Sequence, residues 1–406
     1  MMNYSHSFWL DIPLIKGVKT IPKEGGIVII GSGLSGISSA YWLLKEGLDV
    51  TIVDYKTEEA ATFRNCGHIL YGTVESYKAL KDLHGNDSAK KLWQLSIDVC
   101  HEVRDTVERH KMDVEYKKDG YLVVAIDGQE DKEVKESIQL LNGNGFQSDY
   151  IDKKQLNRLG FKNVYGARFE AGSAQAHPTK FRNALLQECL KMGLKYHSDI
   201  RVISVEEKNL MACLRIEDSN NGLKELVFDA AIIAGNAYSP LFSDYFRSHK
   251  LVEPFAGQII TSAPLKHNFK VRYPHSFDHG YEYSLVTEDN RLMIGGWRNN
   301  TNDQDVGNYS LIARDDIDIG LKEFVKNHYE ISEDIIWDYS WRGIMAASKT
   351  GFPFIGPTNS PVVFALCGYT GHGFSWAHGS AKILKDIIVG NKIPEIVLEK
   401  CSPKRI

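Results

Sequence analysis

Residues 26–36 read Gly-Ile-Val-Ile-Ile-Gly-Ser-Gly-Leu-Ser-Gly, and this stretch decides the fold. Ile27–Ile30 is a short all-apolar run, as expected of a strand buried on both faces. Gly31, Gly33 and Gly36 then form a GxGxxG. Small residues on one side and Trp42, Leu43 and Leu44 on the other suit a packed helix that ends at Gly47. Val50–Val53 is a second apolar run, closed by Asp54. Strand, glycine turn, helix and strand make a βαβ unit. In such a unit Gly31 permits the tight turn, Gly33 lets the backbone approach a pyrophosphate, and Gly36 lets helix and strand pack closely. Phosphate charge then rests on helix N–H groups, and Asp54 is placed to hydrogen-bond ribose hydroxyls. Ser32, Leu34, Ser35 and Tyr55 complete this first set of candidate cofactor contacts. The motif alone does not separate FAD from NAD(P).

The rest of the composition narrows the class. A chain of 406 residues is long for one core, so two or three domains are expected. The 48 basic and 52 acidic side chains nearly cancel, and no basic block stands out, so no nucleic-acid partner is expected. No apolar run approaches the ~18 residues a membrane helix needs. Met1 to Asp11 shows no basic-then-apolar leader, and a cytoplasmic location without a membrane span is expected. Six cysteines (66, 100, 189, 213, 367 and 401) are scattered. Free thiols are therefore expected, and no metal site. In residues 1–24, Trp9, Leu10 and Ile12 predict an extension that packs on something, because a disordered tail rarely carries Trp.

Further along, helices are predicted over 89–110, 131–142, 178–190, 311–328 and about 375–389, from apolar spacing at the helical period. Strands are predicted at 120–126, 200–205, 227–234 and 362–366. Residues 255–300 read as β-rich, with a hairpin of 281–286 and 291–296 around Glu288-Asp289-Asn290. Buried, parallel-type strands at the start, middle and end, separated by two α+β blocks, imply one nucleotide-binding domain in three pieces with a substrate domain inserted. The ranges are 25–75, 152–250 and 335–400 for the first, and 76–151 and 251–334 for the second, after an extension over 1–24.

Three further features favour FAD. Arg64-Asn65-Cys66-Gly67-His68 is a short polar loop soon after the second strand, suited to lie against an isoalloxazine ring or its ribityl chain. Asp229–Asn236 is a buried run that stops at Gly235-Asn236, a second backbone approach to a dinucleotide. Cys367–Phe374 sets Gly368, Gly371 and Gly373 between a buried strand and a long helix. A helix N-terminus there favours the negative charge of a reduced flavin. His372 adds a donor, or simply holds the turn.

With GSGLSG, RNCGH, DAAIIAGNAY, DNRLMIGGWR, WRGIMAASKTGFPFIG and GYTGHGF in that order, the chain resembles the D-amino-acid-oxidase-like (DAO) superfamily of FAD-dependent oxidoreductases over about 25–395. Within it the chain is most similar to the γ-glutamylputrescine oxidoreductase group. The resemblance implies an α/β fold: a Rossmann-like FAD-binding domain of the GR2 type with an inserted α+β substrate domain on an antiparallel sheet. It implies flavin contacts at Gly31, Gly33, Gly36, Asp54, Arg64 to His68, Val202, Gly235, Asn236, Gly343, and Gly368, Thr370, Gly371, His372, Gly373 and Phe374.

The departures are informative. Covalent relatives use a cysteine near Arg342-Gly343-Ile344, and none stands there, so noncovalent FAD is expected. Met345 stands where relatives that bind simple amino acids carry an arginine clamp, with Arg298 and Arg342 as possible substitutes. Met293 stands where some oxidases place a lysine that assists O2. The implied reaction oxidises a C–N bond of a small amine or amino-acid derivative by hydride transfer to flavin N5. The imine is then hydrolysed, and O2 reoxidises the flavin to give H2O2. Tyr281, Tyr283, Trp297 and Arg298 are the predicted pocket walls. An amino-acid dehydrogenase that passes electrons to a quinone or other carrier, a tRNA-modification oxidase and a non-catalytic flavin-binding protein are the alternatives.

Overall fold

The computed structural model describes residues 3–217, 222–266, 269–331 and 334–405. Ile27–Ile30 and Val50–Val53 are buried at every position and pair in parallel, with Ile27 opposite Val50. A six-stranded sheet extends from them in the order Phe354–Pro357, Val363–Cys367, Ala230–Ile233, Ile27–Ile30, Val50–Val53, Lys195–His197. Every neighbour is parallel except the first pair. The chain leaves Ile27–Ile30 toward one edge and returns to fill the other. The crevice between Ile27–Ile30 and Ala230–Ile233 is therefore the switch point, where ligands bind beyond the strands' carboxyl ends.

The predicted strand over 227–234 is two strands. Leu223–Phe228 joins Arg201–Lys208 and Met211–Glu217 in a separate antiparallel sheet, and Ala230–Ile233 enters the parallel one. The chain changes sheet at Asp229, whose N–H donates to the Gly26 carbonyl at 2.9 Å and whose carboxylate accepts from the Gly26 N–H at 3.2 Å. Val227-Phe228 before the joint and Ala230–Ile233 after it are both apolar, so hydropathy does not mark it.

A nine-stranded, mostly antiparallel sheet faces the first. Its order is Asn3–Tyr4, Trp337–Ser348, Val252–Ser262, Leu292–Gly296, Glu282–Val286, His275–Phe277, Tyr121–Ala125, Gly166–Glu170, Asp149–Asp152. The hairpin Glu282–Val286 with Leu292–Gly296 forms as predicted. Gly166–Glu170 and Trp337–Ser348 run in this sheet, so it crosses the boundaries drawn at 152 and 335. Likewise the helix Asn86–His110 packs on the helix Gly373–Ile388 so closely that a Cβ on Gly379 would lie 2.4 Å from Val99 Cα. That helix thereby shares one core with the parallel sheet.

Residues 3–11 do pack. Trp9 is buried, and its indole N–H donates to the Asn65 carbonyl at 2.6 Å. Ser7 donates to the Phe63 carbonyl at 2.6 Å, and Thr179 to the Trp9 carbonyl at 2.7 Å.

Candidate functional site

The switch-point crevice opens into a cavity of ≈ 1390 Å³ that runs from the glycine loop to the face of the nine-stranded sheet. Small-ligand pockets occupy about 300–1,000 Å³, so this one has room for a dinucleotide and a second molecule. Two helices begin on it, Leu34–Lys45 behind Gly33 and Gly373–Ile388 behind His372, and neither is capped by the side chain of the residue before it, although the Thr62 hydroxyl takes the Leu34 N–H. The remaining first-turn N–H groups leave positive helix ends at the cavity.

The glycine loop fits a cofactor by its lack of side chains. Gly31 has φ +110°, and a Cβ on Gly36 would lie 1.9 Å from the Gly31 carbonyl oxygen. Gly31, Gly33, Leu34, Ser35, Asp54 and Tyr55 line the cavity. Ser32 turns inward instead. Its N–H and hydroxyl donate to the Asp54 carboxylate at 3.0 and 2.7 Å, and Thr57 donates to it too. Burial pushes the Asp54 carboxyl up, against those hydrogen bonds.

Arg64, Asn65, Cys66 and His68 line the cavity, while Gly67 braces their loop at φ +75°. Burial lowers the His68 pKa to about 3, so its imidazole is neutral. Val202, Gly235 and Asn236 also line it. The Asn236 side chain accepts from the Gly368 N–H at 2.9 Å, tying the middle strand's end to the last turn. Gly368 itself stays off the wall, and Thr370, Gly371, His372, Gly373 and Phe374 are on it. Burial lowers the His372 pKa, and its Nδ1 lies 3.3 Å from the Thr370 carbonyl, so it holds the turn as a neutral group.

On the sheet side, Gly343, Met345, Tyr283, Tyr281 and Arg298 line the cavity. A Cβ on Gly257 would lie 2.6 Å from Met345 Cε and 3.2 Å from the Tyr283 hydroxyl, so these side chains occupy the space that glycine leaves. The Arg298 guanidinium lies between two rings, 4.7 Å from Phe255 and 5.1 Å from Tyr281. It has no carboxylate partner among the described residues.

Two predicted pocket residues are elsewhere. Arg342 points to the other face of Trp337–Ser348, because strand side chains alternate. It is ion-paired with the fully buried Asp305. Trp297 packs over Gly320, where a Cβ would lie 2.0 Å from its indole nitrogen. Its left-handed backbone (φ 67°) turns it out of the hairpin's alternation. Met293 is buried with Trp9, Cys66 and Trp341, away from the cavity wall.

Several residues carry no sequence signal. Arg182 is fully buried under the glycine loop and donates to the Ser32 carbonyl at 3.2 Å and the Tyr196 hydroxyl at 3.0 Å. Thr62 accepts from the Leu34 N–H at 2.8 Å, at the first helix's open end. His279 reaches the cavity with Glu130 at 3.4 Å and Glu133 at 3.1 Å. Burial opposes its charge, but the carboxylates of Glu133, Glu130 and Asp278 raise its pKa overall. Each is an ordinary residue in an ordinary element, and only the fold brings it to the site.

Glu282 stands behind this wall, 1% exposed, with one oxygen accepting from the Trp297 N–H at 3.1 Å and the other unpartnered. Burial, then the nearby Asp278 carboxylate, raises its pKa to about 8. The folded state thus binds a proton that the unfolded state releases near its ordinary value. Stability is fully present below about pH 4.5 and falls as pH rises to about 8. Glu282→Gln removes this dependence. Urea melts are expected to show the variant gaining on wild type by about 1.4 kcal/mol per pH unit across that window.

Comparison with known proteins agrees with this geometry. The family described as FAD dependent oxidoreductase (DAO) matches residues 26–387. The γ-glutamylputrescine oxidoreductase of Escherichia coli is 22% identical over 383 residues, covering 90% of this chain and 84% of that protein. The D-amino acid dehydrogenase of Vibrio atlanticus is 21% identical over 411 residues, covering 90% and 96%. The crystal structure of glycine oxidase from Bacillus cereus superposes with a TM-score of 0.76 at 15% identity, covering 95% of this chain and all of that one. No helix among the described residues is long and apolar enough to cross a membrane.

Proposed function

Because the chain belongs to the DAO family of FAD-dependent oxidoreductases, we propose that it oxidises the C–N bond of a small amine or amino-acid derivative. One observation carries this reading: a single cavity joins the glycine cradle and two helix N-termini to an aromatic sheet face bearing a guanidinium with no carboxylate partner among the described residues. FAD fits the cradle without a covalent bond, since no cysteine stands beside Arg342-Gly343-Ile344. Residues 31–36, Asp54, Arg64 to His68, Val202, Gly235, Asn236, Gly343 and 368–374 would hold it. When bound, it supplies the acceptor for a hydride from the carbon next to nitrogen.

The protein's own work is placement and desolvation. Tyr283, Met345, Tyr281 and Phe255 wall off the reacting end from water. An amine there loses hydration, which lowers its pKa and leaves the neutral lone pair the reaction needs. Neutral His68 and His372 add no repelling charge. Arg298 offers its guanidinium to a substrate carboxylate. The imine product meets water on release and is hydrolysed to a carbonyl. O2 is the proposed final acceptor, giving H2O2. Transfer to a quinone or other carrier is the second reading, favoured by Met293 in place of a lysine.

The test is spectroscopic. The purified protein is expected to show, or take up, an oxidised flavin band. Anaerobic mixing with a panel of amines, N-methyl amino acids and D-amino acids should bleach it. A colourless protein that takes up no added FAD would sink the reading. Following peroxide on admission of air separates oxidase from dehydrogenase.

A further inference from the structure

His68 stands at the seam between the cofactor cradle and the sheet face. It ends the loop 64–68 and lines the cavity. The short strand His68–Ile69 pairs with Ala174–Gln175, which fixes its backbone. Its Nε2 lies 3.1 Å from the Ser284 carbonyl, in the strand Glu282–Val286. A carbonyl only accepts, so Nε2 carries the hydrogen of the neutral ring. The ring stands edge-on to Tyr121 and Tyr283, with centroids 5.4 and 6.5 Å away. Both tyrosines and the hydrogen bond to Ser284 hold its orientation.

The state of the other nitrogen follows from that tautomer. Nδ1 keeps a bare lone pair and has no hydrogen-bond partner among the described residues. It is not sealed in either, as the second Glu282 oxygen is. On a ring that lines the cavity, its open side is the cavity. Burial, helped by the rings of His275 and His372 and opposed by the Ser284 carbonyl, lowers the His68 pKa to about 3. The ring therefore accepts a hydrogen bond without taking the proton. Tyr283, beside it, also neighbours Gly257 and Met345 at the reacting end. A firmly held acceptor that lacks a donor in such a place is a group built to meet a ligand.

We propose that His68 is a catalytic residue of the amine-oxidising end, its Nδ1 accepting a hydrogen bond from the N–H of the substrate amine. This is a role beyond the flavin contact, and it rests on the Tyr283–Met345 end being where the amine is oxidised. One N–H held at Nδ1 leaves the nitrogen free to turn only about that bond. Its lone pair and the C–H bond that must break are then oriented together. A carboxylate has no hydrogen for Nδ1 and finds its donors at Arg298, so the two side chains sort nitrogen from carboxylate. No proton passes to His68. The ammonium gives its proton to water on entering, and the neutral amine keeps the N–H that Nδ1 holds.

The test uses the FAD-loaded protein with isotope-labelled histidine nitrogens. Nuclear magnetic resonance, with His68 assigned through its contacts to the Tyr121 and Tyr283 rings, should show Nε2 protonated and Nδ1 bare. Adding tert-butylamine, which has N–H groups but no hydrogen on the carbon beside nitrogen, should move the Nδ1 signal toward that of a hydrogen-bonded nitrogen. Tetramethylammonium, of the same charge and shape but without N–H, should leave it in place. Anaerobic bleaching by butylamine gives the second readout. His68→Gln keeps a donor for the Ser284 carbonyl but no acceptor at the place of Nδ1, and should slow bleaching roughly tenfold, the worth of one hydrogen bond. His68→Asn puts its carbonyl oxygen there and should recover most of the rate. A purely structural histidine predicts the reverse order, since Asn loses the Ser284 bond that Gln keeps. Should the variants not hold FAD, the wild-type resonances alone decide. A proton on Nδ1, or an Nδ1 signal that tert-butylamine leaves in place, overturns the role of His68 and leaves amine oxidation standing. A flavin that neither butylamine nor any other amine of the panel bleaches overturns both.

Discussion

Gly36→Ala is expected to give a protein without flavin, colourless on purification and unable to take up added FAD. The added Cβ would lie 1.9 Å from the Gly31 carbonyl oxygen and 3.3 Å from Ile29 Cγ2. The first contact is with backbone, and no side chain can swing aside to relieve it. The helix Leu34–Lys45 must move off the strand Ile27–Ile30, or the loop must reshape. Either change turns the first-turn N–H groups away from the cavity. The control is Gly143→Ala, near a helix end with nothing within 4 Å of the added Cβ, which should keep its flavin. The measurement is the ratio of flavin to protein absorbance, and a fully yellow Gly36→Ala protein would overturn the claim.

Arg342→Met should cost about 3 kcal/mol of stability, the range found when one partner of a buried pair is removed. Asp305 is wholly buried, and of its cationic partners only Arg314, at 3.2 Å, would remain. Denaturant melts measure the loss. In the folded fraction, KM should stay near wild type, because Arg342 reaches the cavity with no atom. Arg298→Met should do the reverse. Its guanidinium is stacked on rings and half open to the cavity, so stability should change little. KM for substrates with a carboxylate at the reacting carbon should rise roughly tenfold. An Arg342→Met variant that lost carboxylate selectivity at full stability would restore it as the clamp.

The contrast between those two arginines shows what is legible in a chain. The βαβ unit was readable because its signals are local: an apolar run, glycines where a Cβ cannot fit, an acid at the next strand's end. The turn 368–374 was readable for the same reason. Arg342 and Trp297 were misplaced because a strand gives its alternation but not which face meets the cavity, and one left-handed residue at Trp297 breaks even that count. Asp229 was missed as a joint because the residues on either side of it, Val227-Phe228 and Ala230–Ile233, are apolar. Arg182 and Thr62 were silent because their meaning lies in pairings with residues far along the chain, such as Ser32 with Arg182. Periodicity carries no information about such pairs.

The docking of Trp9 has a consequence for the order of folding. Residues 3–11 precede all their partners in the chain: Trp9 meets Asn65 and Thr179, Tyr4 pairs with Ser340, and Asp11 accepts from Tyr339 at 2.6 Å. These are contacts of very high sequence separation, the kind whose loop-closure entropy slows folding. The indole of Trp9 is therefore covered only once segments more than 50 and more than 150 residues further along have come together, and one wall of the cofactor loop at 64–68 depends on that closure.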